Sequence, residues 1–390
     1  MAAPALAAGH PVRNASAGGP VATIASEQAI GPGTTLMRIR EPARGDATEA
    51  FVIRVDLTDP TVRAGLLYPG RIAAVQTLPT MASEGGAFAA VNGDFFNIGR
   101  SGAPVGPVIG GGELLKGPER DRQLVAGVGI DGVGRIADVW LQGEVTLPGG
   151  SRHVLSVLND AAVGPKPMLG ANGIALFTDR WGTYPLAGAV DGLHHVTEVQ
   201  VTRGHVRRVR RGPGRGPIPA DGYVLLGAGT GGRALARLHN GQPVTLAYGQ
   251  ATNAGVPFRF AVGGKYLLLR DGRVQPGIPS DGPAKPRTAI GFADDGRELF
   301  LTVTAGQLPG VPGLSLPQEA GFLRGLGVSD AVALDDGGSS TMVARLRPRG
   351  PLRLVNEPSD GTPRQVANGV GVFDVRPAHS PGPTAWNSIR

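Results

Sequence analysis

The chain has no cysteine among its 390 residues, which excludes disulfide bonds, thiolate nucleophiles and cysteine-ligated zinc. It also has no apolar run near the roughly 20 residues that a membrane-spanning helix needs. Lysine is scarce, and the net charge of +7 comes almost entirely from arginine. A GC-rich bacterial genome would produce this bias. An anionic partner would also explain it, because guanidinium groups bind phosphate in a bidentate manner. The lysines are Lys116, Lys166, Lys265 and Lys285.

Glycine and proline are abundant, at 63 and 34 residues. Neither follows a three-residue period, and a hydrophobic fraction of 41% allows a sizeable core. Short apolar runs between these residues are typical of many strands joined by tight turns. We therefore predict an α/β (α+β) fold with a strand-rich mixed sheet, in a single large domain over residues 46–376. A loose arm is expected over 1–45 and a frayed tail over 377–390.

The spacing of the apolar residues predicts the positions of individual helices and strands. Two helices are predicted, one around 77–84 and one over 316–326 that begins at Pro317 and ends at Gly327. Hairpin strands are predicted within 124–147 and 196–209. Further strands are predicted at 51–57, 87–91, 244–248, 266–269, 299–304, 332–334 and 370–375.

Two features of the chain bear on its setting. The small-residue run Ala5–Ala8 looks like the end of a removed export signal, so we expect a secreted or cell-surface bacterial protein. The stretch 203–215 is strongly basic and fits either a charged sheet edge or a surface for an anionic polymer. It lacks aromatic residues for base stacking, so we predict the sheet edge and no nucleic-acid partner.

A polar glycine loop follows the predicted strand at 87–91, in the segment Val91-Asn-Gly-Asp-Phe-Phe-Asn97. Loops at strand ends commonly present side chains to ligands. The same letters also fit an Asn-Gly hairpin turn capped by Asp94, and the pattern alone leaves both interpretations open.

The stretch richest in potentially reactive side chains is Val332-Ala-Leu-Asp-Asp-Gly-Gly-Ser-Ser-Thr-Met342. Neighbouring side chains on an extended strand point to opposite faces, so Asp335 and Asp336 are expected to have different roles. Backbone N–H groups of Gly337 and Gly338 are candidates to hold an anion. A calcium-stabilised or self-capped loop is the alternative.

Two shorter segments offer further cationic and amide side chains. Arg287 opens the run Arg-Thr-Ala-Ile-Gly and could project from a strand end, or be a plain surface ion-pair partner. Arg364 and Asn368 lie just before the last predicted strand, where a simple turn is also possible.

Together, these four segments resemble the phosphodiester glycosidase family, whose pattern runs Asn-Gly-Gly-Phe-Phe, Arg-Thr-Ala-Ile-Gly, Leu-Asp-Gly-Gly-Gly-Ser-Ser/Thr-Thr-Met and Arg-x-Val-Ala/Ser-Asn. The four occur here in the same order, within about 50–376. The resemblance implies hydrolysis of the bond between a sugar's anomeric carbon and a phosphodiester. The substrate-binding positions it suggests, with their neighbours in the motifs, are Asn92, Arg287, Thr288, Gly337, Gly338, Ser339, Ser340, Thr341, Arg364 and Asn368.

Two positions depart from the family pattern, because Asp94 and Asp336 stand where the family has glycine. These extra carboxylates are candidates for a divalent cation such as calcium, or for work on a different substrate. A phosphate ester leaves without prior protonation, so one carboxylate and cationic help suffice for phosphodiester hydrolysis. We predict Asp335 as nucleophile or general base, with Asp94 or Asp336 as alternatives, and Arg287 and Arg364 as phosphate ligands.

Two other functions are compatible with the sequence. One is a glycosidase that acts on an ordinary anionic or neutral glycan, with Asp94 or Asp336 as the acid that such a leaving group requires. The other is a protein that binds a carbohydrate or polyanion without cleaving it. Because Asp335 and Arg287 are both present, an enzyme is favoured.

Overall fold

The computed structural model describes residues 23–42, 47–161, 168–214, 217–280, 282–347 and 350–376. Strands account for 46% and helices for 12%, so the predicted strand-rich mixed α/β fold is confirmed. Within these ranges no helix is both long and apolar enough to cross a membrane. The tail at 377–390 and residues 1–22 of the predicted arm lie outside the described residues.

The described residues up to 227 form fifteen strands: β1 Thr23–Gly31, β2 Thr34–Pro42, β3 Ala47–Asp56, β4 Val62–Leu67, β5 Gln76–Thr77, β6 Ala89–Asn92, β7 Val108–Gly110, β8 Glu113–Lys116, β9 Leu124–Gly129, β10 Gly134–Thr146, β11 Arg152–Leu158, β12 Ile174–Thr178, β13 Thr197–Thr202, β14 His205–Arg211 and β15 Gly222–Gly227.

The remaining strands are β16 Thr245–Thr252, β17 Phe258–Gly263, β18 Tyr266–Arg270, β19 Arg273–Val274, β20 Arg287–Ala293, β21 Glu298–Thr304, β22 Asp330–Ala333, β23 Met342–Arg345, β24 Leu352–Leu354, β25 Gln365–Val366 and β26 Gly369–Asp374. The α-helices are α1 Leu78–Gly85, α2 Gly229–Leu235 and α3 Leu316–Gly325. Short 3₁₀ turns occur at Asp179–Trp181, Leu186–Val190, Asp294–Gly296 and Gly337–Ser339.

The strands form three large sheets. One has eight strands in the order β1-β2-β3-β21-β20-β22-β18-β19, and one has five in the order β24-β23-β6-β26-β4. The third contains eleven strands, including the path β14-β13-β15-β12-β11-β10-β9-β17-β7-β8. The β11–β12 pair is parallel, whereas the other ladders of the described residues are antiparallel, which makes the third sheet mixed. Strand β14 lies at the end of its sheet, as predicted for the basic segment.

The main core lies between the eight-stranded and five-stranded sheets and the strands β9 and β17. Ile53, Val91, Val128, Phe260 and Val372 are among its buried members. Strand β20 is buried along its whole length, which explains its near-continuous apolar sequence. The strands that carry the candidate site residues are therefore anchored in the main core.

One prediction about the chain's start was wrong. Residues 23–42, placed in a loose arm, form the hairpin β1–β2, and β2 pairs with β3. Met37 and Ile39 are buried, whereas Arg38 and Arg40 are exposed. This alternation was present in the sequence, but the surrounding glycine, proline and serine obscured it.

We expect Phe292→Ala to lower the free energy of unfolding by about 3–5 kcal/mol, because it leaves a cavity in a rigid core. The Phe292 side chain is 1% exposed, in the core that β20 shares with β9, β10 and β17. Urea denaturation would measure the change. Val154→Ala is the control, since Val154 is 75% exposed; an equal loss in the two variants would contradict this account of the core.

Candidate active site

The predicted motif segments meet at the ends of β6, β22 and β26. The backbone N–H of Asp335 donates to Gly93 O at 2.9 Å, and the N–H of Gly93 donates to Asn368 O at 2.9 Å. The N–H of Asn92 donates to Thr341 O at 3.2 Å. A side chain at Gly93 would collide with Asn368, so glycine is required for this close approach. Three loops far apart in the sequence thus form one polar cluster.

Asn92 holds these loops together from inside the protein. Its side chain is fully buried, and its Nδ2 donates to Asp335 O at 2.8 Å. Its Oδ1 accepts hydrogen bonds from the Thr288 hydroxyl at 2.9 Å and from the Thr341 N–H at 3.0 Å. Thr288 also lies 3.1 Å from the Ser340 hydroxyl. The structure therefore places Asn92, Thr288 and Ser340 in the site as positioning residues, and substrate contact by them stays a prediction.

Asp335 is the carboxylate best placed for chemistry. It is 9% exposed, and its Oδ1 accepts from the Asp336 N–H at 3.0 Å. Burial raises its pKa to about 6, while a hydrogen bond from Ser339 opposes the rise. At neutral pH the group is mostly ionised but poorly solvated, which suits a general base or nucleophile.

Asp94 lies beside Asp335 in a tighter environment. Its Oδ2 accepts from the Gly106 N–H at 2.6 Å, and its own N–H donates to Asn368 Oδ1 at 2.8 Å. A side chain at Gly263 would collide with its carboxylate. Burial raises the pKa of Asp94 to about 7, and the charge of Asp335 adds to the rise. Asp94 therefore holds its proton to a higher pH than Asp335 does.

Asp336 points away from this pair, as the alternation of neighbouring side chains predicts. It forms ion pairs of 2.6 Å with Lys285 and with Arg287 Nη1. Arg287 is 3% exposed, and it also donates from Nε to Leu314 O at 2.9 Å and from Nη2 to Pro283 O at 3.0 Å. Its interpretation as a surface ion-pair partner is therefore wrong, because it is a buried clamp. Phosphate ligation by Arg287 stays a prediction.

Arg364 combines contact with the site and exposure to solvent. Its Nε donates to Asp360 at 2.9 Å and its Nη1 to the Ser339 hydroxyl at 3.4 Å, while its side chain remains 32% exposed. A side chain at Gly338 would collide with the Arg364–Asp360 pair. Gly337 has a φ of 63° and opens the 3₁₀ turn that presents Ser339. Its N–H donates to Pro286 O, so this N–H is not directed at an anion.

Arg364 also lines a cleft of about 520 Å³, together with Phe96, Ile98 and Tyr184. Inside the site, the Thr341 hydroxyl and the Asn368 Nδ2 are buried without a hydrogen-bond partner. Unpartnered polar atoms of this kind are uncommon in folded proteins and suit a bound water or ligand. The cleft adjoins the site at Arg364, and the two unpartnered atoms offer contacts for a bound water or ligand.

Two charged residues of the site were missed from the sequence. Lys265 lies over the rings of Phe95 and Tyr266, at 5.1 and 5.0 Å from their centroids, so its charge lies next to the Asp94 loop. Glu319 on α3 is 1% exposed, and neither of its side-chain oxygens has a partner. The only signal for Glu319 was its place in the first helical turn, which is ordinary for a surface acid.

The two carboxylates proposed to bind a cation do not share a site. Asp336 is already neutralised by Lys285 and Arg287, which would repel a metal ion. The parts of the chain that the structure describes contain no group of three or more His, Cys, Asp or Glu side chains arranged to hold one. These residues do not fit a dedicated calcium site, and no chemical step is assigned to a metal.

Residues 195–373 match the sequence model of the phosphodiester glycosidase family. The resemblance to the phosphodiester glycosidases is confirmed. The matched segment contains Arg287, the Asp335 loop and Arg364, whereas the Asn92 loop of this phosphodiester glycosidase-like chain precedes it. The family is hydrolytic. A sequence comparison with curated proteins finds no match.

Two solved structures share the fold. A hypothetical protein from Synechocystis has a TM-score of 0.69 and 21% identity over 91% of this chain, which spans 65% of that protein's length. A candidate exported protein from Burkholderia pseudomallei has a TM-score of 0.66 and 21% identity, over 84% of this chain and 74% of the other. The catalytic domain of zebrafish N-acetylglucosamine-1-phosphodiester alpha-N-acetylglucosaminidase, auto-inhibited by its pro-peptide, gives 0.47 and 16% over 90% and 87%.

We expect Glu319→Gln to weaken the pH dependence of stability. Burial raises the pKa of Glu319 from 4.5 to about 8, so between these values the folded state holds a proton that the unfolded chain has released. The free energy of unfolding of the wild type should therefore fall as pH rises through this window. The glutamine amide mimics the protonated acid and removes this contribution, whereas those of Asp94 and Asp335 remain.

Urea denaturation at about pH 5 and about pH 9 would measure the effect. The variant should match the wild type at the lower pH and exceed it at the higher pH. Glu27→Gln, at an exposed position of β1, is the control and should change neither value. An identical slope in wild type and Glu319→Gln would show that Glu319 is not buried as described.

Proposed function

We propose that this chain hydrolyses the bond between the anomeric carbon of a sugar and a phosphodiester. The observation that carries the proposal is the pairing of a buried carboxylate, Asp335, with a partly exposed guanidinium, Arg364, through the intervening Ser339. The family match over 195–373 supports the same reaction.

In the proposed reaction the phosphodiester departs as an anion, so it needs no proton. Arg364 stabilises the departing phosphate by charge-assisted hydrogen bonds, and Lys265 adds a second positive charge at the rim. Asp335, ionised above a pKa of about 6, activates a water molecule or stabilises the positive charge that develops on the sugar. Asn92 contributes by fixing the Asp335 backbone, and Arg287 by fixing Asp336.

A second candidate function is cleavage of an ordinary glycan, whose leaving group must be protonated. Asp94 favours it, because its pKa of about 7 allows it to carry a proton near neutral pH. Asp336 does not suit this role, since its two carboxylate oxygens are engaged by Lys285 and Arg287 at 2.6 Å. A non-catalytic carbohydrate- or polyanion-binding protein is the third candidate, and it requires neither acid.

We also propose that the protein is exported by a bacterium and works at the cell surface or outside the cell. The small-residue run Ala5–Ala8 supports this, as does a fold shared with a candidate exported protein. The catalytic domain is proposed to begin near Thr23, because β1 and β2 extend the eight-stranded sheet, and to end near residue 376.

We expect Asp335→Asn to reduce sugar release from sugar-1-phosphodiesters by about 10²–10⁴-fold, the usual loss when a general base is removed. Release would be measured on a panel of such substrates, with and without chelator. Glu357→Gln is the control, because it removes an exposed carboxylate from the loop between β24 and β25. The proposal would be overturned if the wild type released sugar from none of the phosphodiesters. Sensitivity to chelator would make Asp94 a candidate metal ligand again.

Asp94→Asn should separate the first two functions. If the leaving group is a phosphodiester, kcat/KM should stay within about tenfold of wild type, because no acid is needed; for an ordinary glycoside it should fall by about 10²–10⁴-fold. The wild-type pH profile gives a second readout. Activity on phosphodiesters should rise through about pH 6 and stay high, whereas activity on ordinary glycosides should fall again above about pH 7. A profile that rises and falls on phosphodiesters would mean that Asp94 acts as an acid there too.

A further inference from the structure

A second cleft, of about 450 Å³, is lined by three arginines: Arg63 on β4, Arg180 on the 3₁₀ turn after β12, and Arg259 on β17. It is separate from the Asp335 site. Gly263, at the far end of β17, packs against Asp94, and Arg259 lies four residues away along an extended strand, roughly 13 Å. The function proposed above uses none of these three arginines.

The residues that line this cleft balance its positive charge only in part. In the described ranges, none of the three arginines has a carboxylate within ion-pair distance. Glu113 also lines the cleft, but it accepts a hydrogen bond from Tyr248. Asp131 acts on Arg259 at longer range, and both its oxygens accept from Arg135. The three arginines and Glu113 give the lining of the cleft a net charge of +2.

The Arg259 guanidinium is partly desolvated and lies near another cation. Its Nε is buried and has no hydrogen-bond partner. Desolvation lowers the pKa of its guanidinium, and the like charge of Arg63 lowers it further. A partly desolvated guanidinium with no ion-pair partner, close to a second cation, is less favourable for the folded state than a paired one. Such an arrangement is stabilised when an anion occupies the space between the cations.

The other residues that line the cleft suit a small oxyanion that is attached to a larger molecule. Tyr68 offers a hydroxyl, and Phe260 and Phe373 supply apolar surface. Gly111, in the turn between β7 and β8, has a φ of 61° and open space where a side chain would lie. The cleft is therefore open on that side. Guanidinium pairs match the geometry of phosphate oxygens.

We propose that the cleft formed by Arg63, Arg180 and Arg259 is a binding site for a phosphate group, distinct from the candidate active site. The phosphate comes either from free inorganic phosphate or from a phosphorylated glycan. The proposal does not depend on the hydrolytic function, because no residue of the Asp335 site contributes to it.

The test is phosphate binding by calorimetry in an Arg364→Gln background, in which the proposed phosphate contact of the active site is absent. The double variant Arg63→Gln/Arg259→Gln should bind inorganic phosphate about tenfold or more weakly than this parent, as expected when charge-assisted hydrogen bonds are lost. The matched control is Arg40→Gln/Arg353→Gln, which removes the same charge from exposed positions of β2 and β24. Its affinity should stay within about twofold, because exposed distant charges are screened.

Thermal unfolding gives an independent readout. Phosphate should raise the Tm of the parent and of the control but not that of the double variant. Without phosphate, the double variant should unfold no earlier than the parent, because the repulsion has been removed. The single variant Arg63→Gln changes an exposed side chain and tests binding without risk to folding. Equal phosphate affinity in parent and double variant, or no binding to the parent, would overturn the proposal.

A comparison of two ligands identifies the source of the phosphate. A glycan oligomer that carries phosphate groups should bind the parent more tightly than inorganic phosphate if the cleft recognises a phosphorylated glycan. Equal affinities would assign the site to free phosphate. In both cases the affinity must fall in Arg63→Gln/Arg259→Gln, and an affinity that does not fall would refute the site.

Discussion

The side-chain amide of Asn92 joins three parts of the chain that are 196 to 249 residues away from it in sequence. It donates to the Asp335 backbone and accepts from Thr288 and Thr341, so both ends of this amide are satisfied inside the core. Because the amide is fully buried, breaking any of these bonds would leave an unsatisfied group at a cost of about 1–3 kcal/mol. The position of the Asp335 carboxylate therefore depends on this one residue and on Gly93, which allows the loops to approach.

Burial then divides the acids of the site into two kinds. Asp336 forms ion pairs of 2.6 Å with Lys285 and Arg287. Asp335 and Asp94 receive mainly neutral hydrogen bonds, and desolvation raises their pKa values to about 6 and about 7. Adjacent residues thus differ in chemistry because one has cationic neighbours and the other does not. A carboxylate that is ionised but poorly solvated is more basic than one in water, and this is what the proposed hydrolysis requires of Asp335.

The arginines, which give the chain its charge, are also of two kinds. Arg287 is buried, and each of its three guanidinium nitrogens donates to a protein acceptor. Arg63 and Arg259 line one cleft, and neither has an ion-pair partner in the described part of the chain. The first arrangement stabilises the fold, whereas the second costs stability unless a ligand supplies negative charge. Composition cannot distinguish the two, because the difference lies in the neighbours of each guanidinium.

The sequence by itself determined the strand-rich fold, the helix that ends before Gly327, the family resemblance and the divergence of Asp335 from Asp336, because these depend on local periodicity and on residue order. Only the tertiary structure decided that Arg287 is a buried clamp and that Lys265 and Glu319 lie at the site. Those outcomes depend on contacts between segments far apart in the chain and on the exclusion of water around each charge. The residues adjacent to a loop in the sequence do not encode how close a second loop lies. The residues adjacent to a carboxyl likewise do not encode how well that carboxyl is solvated.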